Sequence, residues 1–78
     1  MNKNETPDNR LNYGKFILTP KQRDVLSLLA QGLRNKEIAK KMNISVSTVK
    51  LHISGIFIRL NVCTRTAAVI KAQKLNLI

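Results

Sequence analysis

The sequence has little negative charge, few reactive side chains and no tryptophan. Four Asp and Glu residues stand against 14 Lys and Arg, which gives a formal net charge of +10 over 78 residues. We find no paired carboxylates and no nucleophile beside a base, so we expect no enzymatic activity. Cys63 and His52 are each the only residue of their kind, which excludes a disulfide framework and a zinc cluster. We therefore predict no catalytic residue, no metal site and no cofactor.

Long apolar runs are also lacking. A membrane-spanning helix needs about 20 apolar residues, and no stretch of this sequence provides them. The polar first ten residues do not resemble a secretory signal, and a lone cysteine is compatible with a reducing compartment. We expect a cytoplasmic protein without a membrane partner.

The positive charge is unevenly distributed along the chain. Beyond Glu37 every ionised side chain is basic. Such a field favours a polyanionic partner, with nucleic acid first and an anionic membrane surface second. A basic surface that binds nothing remains an alternative at this point.

One small domain preceded by a tail accounts for the length and composition. Residues 1–15 are rich in Asn and poor in apolar residues, so we interpret them as a flexible tail or linker. Tyr13, Phe16 and Ile17 are candidates for attaching that tail to the domain. Residues 16–78 show helical periodicity and no strand pattern, which predicts an all-α, compact four-helix domain.

The helix boundaries follow from capping residues. Thr19 and Pro20 predict the start of a first helix that ends at Gly32. The second helix is expected from Asn35, as its cap, to Met42, with Asn43 in the left-handed conformation. The third follows Ser45 and continues to about Leu60, and the fourth runs from Thr64 to about Leu75.

Residues 35–60 predict a helix-turn-helix. Ala39 is small where two helices would cross, Asn43 stands in the turn, and Val49 follows ten residues after Ala39 as an apolar plug. In such a motif the first helix supports the second, which enters the major groove of double-stranded DNA.

The outward face of the third helix supplies candidate DNA contacts. If Val49, Ile53, Ile56 and Leu60 point inward, then Ser47, Leu51, Ser54 and Ile58 point outward and Lys50 flanks them. We predict base contacts by Lys50 to guanine, by Leu51 to a thymine methyl and by Ser54 to a base edge. Ser47 and Thr48 at the helix N-terminus, and basic Lys36, are candidates for phosphate contact. An ordinary solvated face is the alternative.

The sequence resembles the LuxR-type (GerE-like) helix-turn-helix domain over about residues 17–78. The resemblance is carried by Leu18–Pro20, Ala30–Leu33, Asn35–Ala39, Ile44–Ser45, Thr48–Lys50, His52 and Arg65–Thr66. It implies a four-helix fold, sequence-specific binding to promoter DNA and dimers formed through the last helix. It also implies that Lys50, Leu51 and Ser54 face bases, and that Ser47, Thr48, Arg59 and Arg65 lie near phosphates.

The last helix has its own stripe, made of Ala68, Val69, Ala72 and Leu75. These residues are candidates for a homodimer interface, and packing against the core is the alternative. A two-fold dimer would place two recognition helices about 34 Å apart on a roughly palindromic promoter site. RNA polymerase is a further candidate partner.

Three departures from the family pattern lead to structural expectations. Gln22 replaces a usual Glu, so we expect an ion pair or cap contact to be lost. Arg34 replaces a capping Ser and leaves the cap to Asn35. Gly55 is expected to weaken the third helix by about 1 kcal/mol relative to Ala.

Two other functions remain open at this stage. One is a protein-interaction module or antagonist that keeps the fold, which polar Ser54 and apolar Ile58 favour. The other is non-specific coating of nucleic acid. The sequence also leaves open whether a sensor or receiver domain belongs to the same protein.

Overall fold

The computed structural model describes residues 18–78, which form four α-helices and, within that range, no strand. They are α1 (Pro20–Ala30), α2 (Asn35–Met42), α3 (Val46–Leu60) and α4 (Arg65–Lys74). The predicted all-α, four-helix architecture is confirmed. The proposed tail of residues 1–15, and Tyr13, Phe16 and Ile17, lie outside the described residues.

Three helices begin with a hydroxyl cap. The side chains of Thr19, Ser45 and Thr64 each accept a hydrogen bond from the amide three residues later. These bonds satisfy backbone donors that have no partner within the helix. The predicted starts of α1, α3 and α4 therefore agree with the structure, and α4 ends one residue before the expected Leu75.

The start of α2 differs from the prediction. Asn35 is the first helical residue and not the cap, because Arg34 takes the extended conformation at that position (φ −82°, ψ 162°). The Arg34 amide donates to Glu37 Oε1 over 2.7 Å, so the carboxylate half of a capping box is present although Arg34 has no hydroxyl to accept from the Glu37 amide. Asn35 is left free to make a different contact.

Gln22 keeps the cap contact that we expected to be lost. The Thr19 amide donates to Gln22 Oε1 over 2.9 Å, and the Gln22 amide donates to Thr19 Oγ1 over 3.1 Å. This reciprocal pair is a capping box, in which an amide oxygen serves as well as a carboxylate. Of the two contacts expected to be lost, an ion pair or a cap contact, the cap contact is retained, because its geometry needs an acceptor oxygen and not a charge.

All four helices end in the same way. A residue with positive φ follows each helix, and the next residue is aliphatic: Gly32–Leu33, Asn43–Ile44, Asn61–Val62 and Asn76–Leu77. Each aliphatic residue donates its amide to a carbonyl five residues earlier, as in Ile44 to Ala39 over 3.0 Å and Leu77 to Ala72 over 2.8 Å. This is the Schellman arrangement. The aliphatic side chains pack against the core, so each helix end also closes part of it.

The core lies between α1, α3 and α4, with α2 packed on α3 and α1. Ten apolar residues are buried: Val25, Leu26, Leu29, Ile38, Ala39, Val49, Ile56, Leu60, Ala68 and Ala72. Three of the four α3 residues predicted to point inward are among them, and Ile53 is half-buried against the same cluster. The helical period thus orients α3 as the sequence indicated.

No single helix within residues 18–78 is long and apolar enough to cross a membrane. Only α3 and α4 taken together have the necessary length and composition, and the chain bends by 55° between them.

Gly55 allows α1 and α3 to approach each other. A Cβ atom at this position would lie 2.5 Å from Gln22 Nε2, so an alanine would displace the Gln22 side chain. That side chain belongs to the capping box of α1. The cost expected for glycine in a helix is therefore offset by a contact that the sequence did not reveal.

We predict that Gly55→Ala changes the stability of the natural sequence little, because its helical gain of about 1 kcal/mol is opposed by disruption of the cap. In a Gln22→Ala background the same change should stabilise by about 1 kcal/mol. Urea denaturation of the four variants measures both effects. Equal gains in the two backgrounds would contradict the proposed contact.

Candidate nucleic-acid interface

One face of α3 is free of the core. Ser47, Leu51, Ser54 and Ile58 are all exposed, and Lys50 beside them is exposed as well. Leu51 and Ile58 expose 72% and 78% of their surface, the highest values among the large apolar residues that are exposed. Folding thus leaves unburied the four side chains that the periodicity assigned to the outward face, and Lys50 that flanks them.

The N-terminus of α3 is held by a small hydroxyl cluster. Ser45 Oγ accepts from the Thr48 amide over 3.0 Å and lies 2.9 Å from Thr48 Oγ1. If Ser45 donates within this pair, the Thr48 hydroxyl proton remains available for a phosphate oxygen. Ser47 lies in the same first turn of α3 and is exposed.

An open groove lies between α2 and the start of α3. Its lining includes Lys36 and Lys40, one helical turn apart, with Glu37 between them, together with Ile44 from the turn and Val46 at the start of α3. Both lysines are exposed. A DNA backbone that passes the N-terminus of α3 would therefore meet the positive charge of the two lysines in this groove as well.

Arg59 and Arg65 differ in their surroundings. Arg59 is exposed in the last turn of α3. Arg65 is exposed at the start of α4, but its guanidinium reaches back across the fold. Arg65 Nη1 donates to the Leu33 carbonyl over 3.2 Å, and Nη2 donates to Asn35 Oδ1 over 2.5 Å. No sequence pattern indicated this contact, because its partners Leu33 and Asn35 are 32 and 30 residues away from Arg65.

The α4 stripe divides between core and surface. Ala68 and Ala72 are 0% exposed, so their side chains pack inside the domain and cannot touch a partner. Their assignment to a dimer interface was wrong; the alternative of core packing holds for these two positions. Val69 is half-buried, and Leu75 is 52% exposed just beyond the helix end.

Two exposed apolar residues near the C-terminus were missed. Ile70 is 49% exposed and Ile78 is 40% exposed. The stripe pattern did not include them because it followed the small residues that the core requires. A search for large apolar residues off that stripe would have found both.

The charge of the described region is almost entirely positive. Within residues 18–78 the only acidic side chains are Asp24 and Glu37, and Glu37 accepts the Arg34 amide. The same region contains no group of three His, Cys, Asp or Glu residues that could hold a metal ion. Its exposed chemistry is therefore that of a cationic surface with a central apolar element.

A family profile described as "GerE: Bacterial regulatory proteins, luxR family" matches residues 16–72. The chain belongs to the luxR family of bacterial regulatory proteins. The resemblance noted from the sequence is thereby confirmed, and membership of this luxR family supports transcription regulation by DNA binding.

Curated relatives of this luxR-family domain are response regulators and not enzymes. The nitrate/nitrite response regulator NarP of Escherichia coli (strain K12) is 54% identical over 54 residues, which is 69% of this chain and 25% of that protein. The response regulator VraR of Staphylococcus aureus (strain Mu3 / ATCC 700698) is 45% identical over 62 residues, 80% of this chain and 30% of that protein. The chain thus spans between a quarter and a third of the curated relatives it matches.

Solved structures agree with this luxR-family fold. The response regulator ChrA of a heme-sensing two-component system matches 80% of this chain and 31% of its own, with 40% identity and a TM-score of 0.77. The transcription factor GerE matches 77% of this chain and 90% of its own, with 32% identity and a TM-score of 0.73.

We predict that Ser45→Ala lowers the free energy of unfolding by about 1 kcal/mol, because the α3 cap loses its acceptor. Ser47→Ala is the matched control, since the Ser47 side chain is exposed and makes no hydrogen bond to another residue of the described range 18–78, and its effect should stay within about 0.5 kcal/mol. Urea titrations of both variants compare the losses. Similar losses in the two would argue against the cap.

Proposed function

We propose that this domain binds a specific promoter sequence in double-stranded DNA with α3 in the major groove. The observation that carries the proposal is the exposed face of α3, where Lys50, Leu51 and Ser54 lie together on the side of the helix that faces away from the core. A helix fits the major groove, and its exposed side chains can reach base edges there. The major groove of DNA is thus an environment in which the exposed Leu51 of this cationic helix would make a contact.

The proposed base contacts follow from side-chain chemistry. Lys50 donates to guanine O6 or N7, Leu51 packs on a thymine methyl, and Ser54 bonds a base edge. For phosphate we propose Ser47, Thr48, Lys36 and Arg59, whose hydroxyl or cationic groups are exposed or half-exposed around that helix. Arg65 differs because its guanidinium is already engaged, and it is treated below.

We also propose that two copies bind one palindromic site. The surface that fits a two-fold contact is Val69, Ile70 and Leu75, because these are the apolar residues of the α4 region that the core leaves accessible. Two recognition helices would then lie about 34 Å apart, one turn of DNA. The regulator would act in the cytoplasm, where bacterial promoters lie, and RNA polymerase is the candidate second partner.

A second candidate function rests on Ile58. Its side chain is 78% exposed at the far end of the recognition face, where a basic residue would suit DNA better. An apolar residue in that place favours a partner protein that covers the end of α3. Selection of duplexes from a random pool distinguishes the two functions, because a protein-interaction module enriches no sequence.

We predict that Lys50→Ala weakens binding to the selected duplex by about 1–3 kcal/mol and affects scrambled DNA much less. Lys36→Ala is the matched control, because the loss of a phosphate contact should weaken binding equally on both duplexes. Fluorescence anisotropy at two salt concentrations measures the affinities of the natural sequence and of both variants for each duplex. If Lys50→Ala weakens both duplexes equally, base readout by this lysine is excluded.

We predict that Leu75→Gln reduces affinity for the full palindrome while leaving affinity for an isolated half-site unchanged. The reason is that a polar side chain removes apolar area from the proposed two-fold contact without altering α3. Titration of both duplexes provides the comparison within one variant. A parallel loss on the half-site would place the effect of Leu75 outside dimerisation.

A further inference from the structure

Arg65 provides a link between two helices that do not otherwise pack together. Within residues 18–78, α2 packs on α1 and α3, and α4 packs on α1 and α3, but α2 and α4 have no packing contact. The Arg65 side chain spans this gap from the first residue of α4. It reaches the Leu33 carbonyl before α2 and the Asn35 side chain in the first residue of α2.

The contact uses the geometry of the guanidinium group more than its charge. Both acceptors are neutral oxygens, one from a backbone carbonyl and one from a side-chain amide. The two donors are the two terminal nitrogens of one planar group, so together they fix a direction as well as a distance. A lysine carries the same charge but has one nitrogen and cannot reproduce this pair of bonds.

The first turn of α2, which Arg65 holds, lies beside a proposed DNA contact. Lys36 follows Asn35 directly, and both belong to the first turn of α2. The Arg34 side chain has no acceptor atom for the free amides of that turn. The two Arg65 hydrogen bonds therefore hold the turn from outside α2. A shift of the turn would move the Lys36 ammonium relative to the DNA backbone.

We propose that Arg65 is a positioning residue that orients the first turn of α2 so that Lys36 reaches a phosphate, and that Arg65 binds no phosphate itself. This inference rests on the proposed function. It replaces the direct phosphate contact expected for Arg65 from the family resemblance.

The salt dependence of DNA binding distinguishes a positioning role of Arg65 from a direct phosphate contact by Arg65. Each phosphate contact that is lost makes the slope of log K against log salt shallower by about 0.9. If Arg65 positions Lys36, the neutral change Asn35→Ala should lower this slope as Lys36→Ala does, although it removes no charge. If Arg65 contacts a phosphate, only changes at Arg65 and Lys36 lower the slope, and their effects add.

The experiment measures affinity and salt slope for the full chain on the selected duplex. We expect Asn35→Ala, Arg65→Ala, Arg65→Lys and Lys36→Ala each to weaken binding about fivefold at 0.15 M salt, the effect of one lost counter-ion-releasing contact. We expect the Arg65→Ala, Lys36→Ala double variant to bind like either single variant. Lys36→Ala combined with Arg59→Ala is the control pair, for which additive effects are expected because Arg59 has no hydrogen bond to α2 in the structure.

Any one of three results of this binding experiment would overturn the proposal. The first is a wild-type salt slope for Asn35→Ala, the second is wild-type affinity for Arg65→Lys, and the third is additive losses of affinity at Arg65 and Lys36. A purely structural role would lower the melting temperature of Arg65→Ala and leave the affinity of the folded protein unchanged, which would also overturn it.

Hydrogen exchange measured without DNA tests the positioning role of Arg65 separately from the proposed function. Arg65→Ala should speed exchange of the Ile38 and Ala39 amides of α2 relative to the Ile56 amide of α3. Unchanged relative rates would refute positioning whatever the DNA data show. If the natural sequence itself selects no duplex, the proposed function fails, while faster exchange would still demonstrate the fixation of α2.

Discussion

Burial of one side of α3 determines where the other side of this helix points. Val49, Ile56 and Leu60 pack against the other three helices, and this packing fixes the rotation of α3 about its own axis. The opposite face, with Lys50 and Leu51, has no freedom to turn away from solvent. The orientation of the exposed face therefore depends on the core, and a core substitution that rotates α3 would redirect Lys50 and Leu51 while keeping the fold.

Local signals in the sequence were sufficient for the fold. Hydroxyl caps at Thr19, Ser45 and Thr64 and the helical spacing in α3 act within a few residues, so they predicted three helix starts and the orientation of α3. The Asn35 cap was misassigned by one residue, because α2 begins without a hydroxyl cap and Glu37 stabilises its start by accepting from the Arg34 amide. Contacts between distant segments left no such trace, which is why the Arg65 link and the fit of Gln22 against Gly55 emerged only from the structure.

The candidate site was predicted in the same uneven way. The exposure of the α3 face follows from helical geometry, and the four side chains assigned to it are all exposed, as is Lys50 that flanks them. The α4 assignments failed at Ala68 and Ala72 because a stripe of small residues is compatible with a tight core as well as with a close interface. The distinction depends on what lies opposite the stripe, and this chain places α1 and α3 there.

The scarcity of acidic residues means that ionic strength acts on this domain in two opposite senses. With a net charge of +10, the folded chain repels itself, and dissolved ions reduce that repulsion. The same ions compete with the protein for DNA phosphates and weaken the complex. The free domain is therefore more stable at higher salt, whereas its complex with DNA is more stable at lower salt. DNA itself acts as a counter-ion that stabilises the fold, because a ligand that binds only the native state shifts the folding equilibrium towards that state.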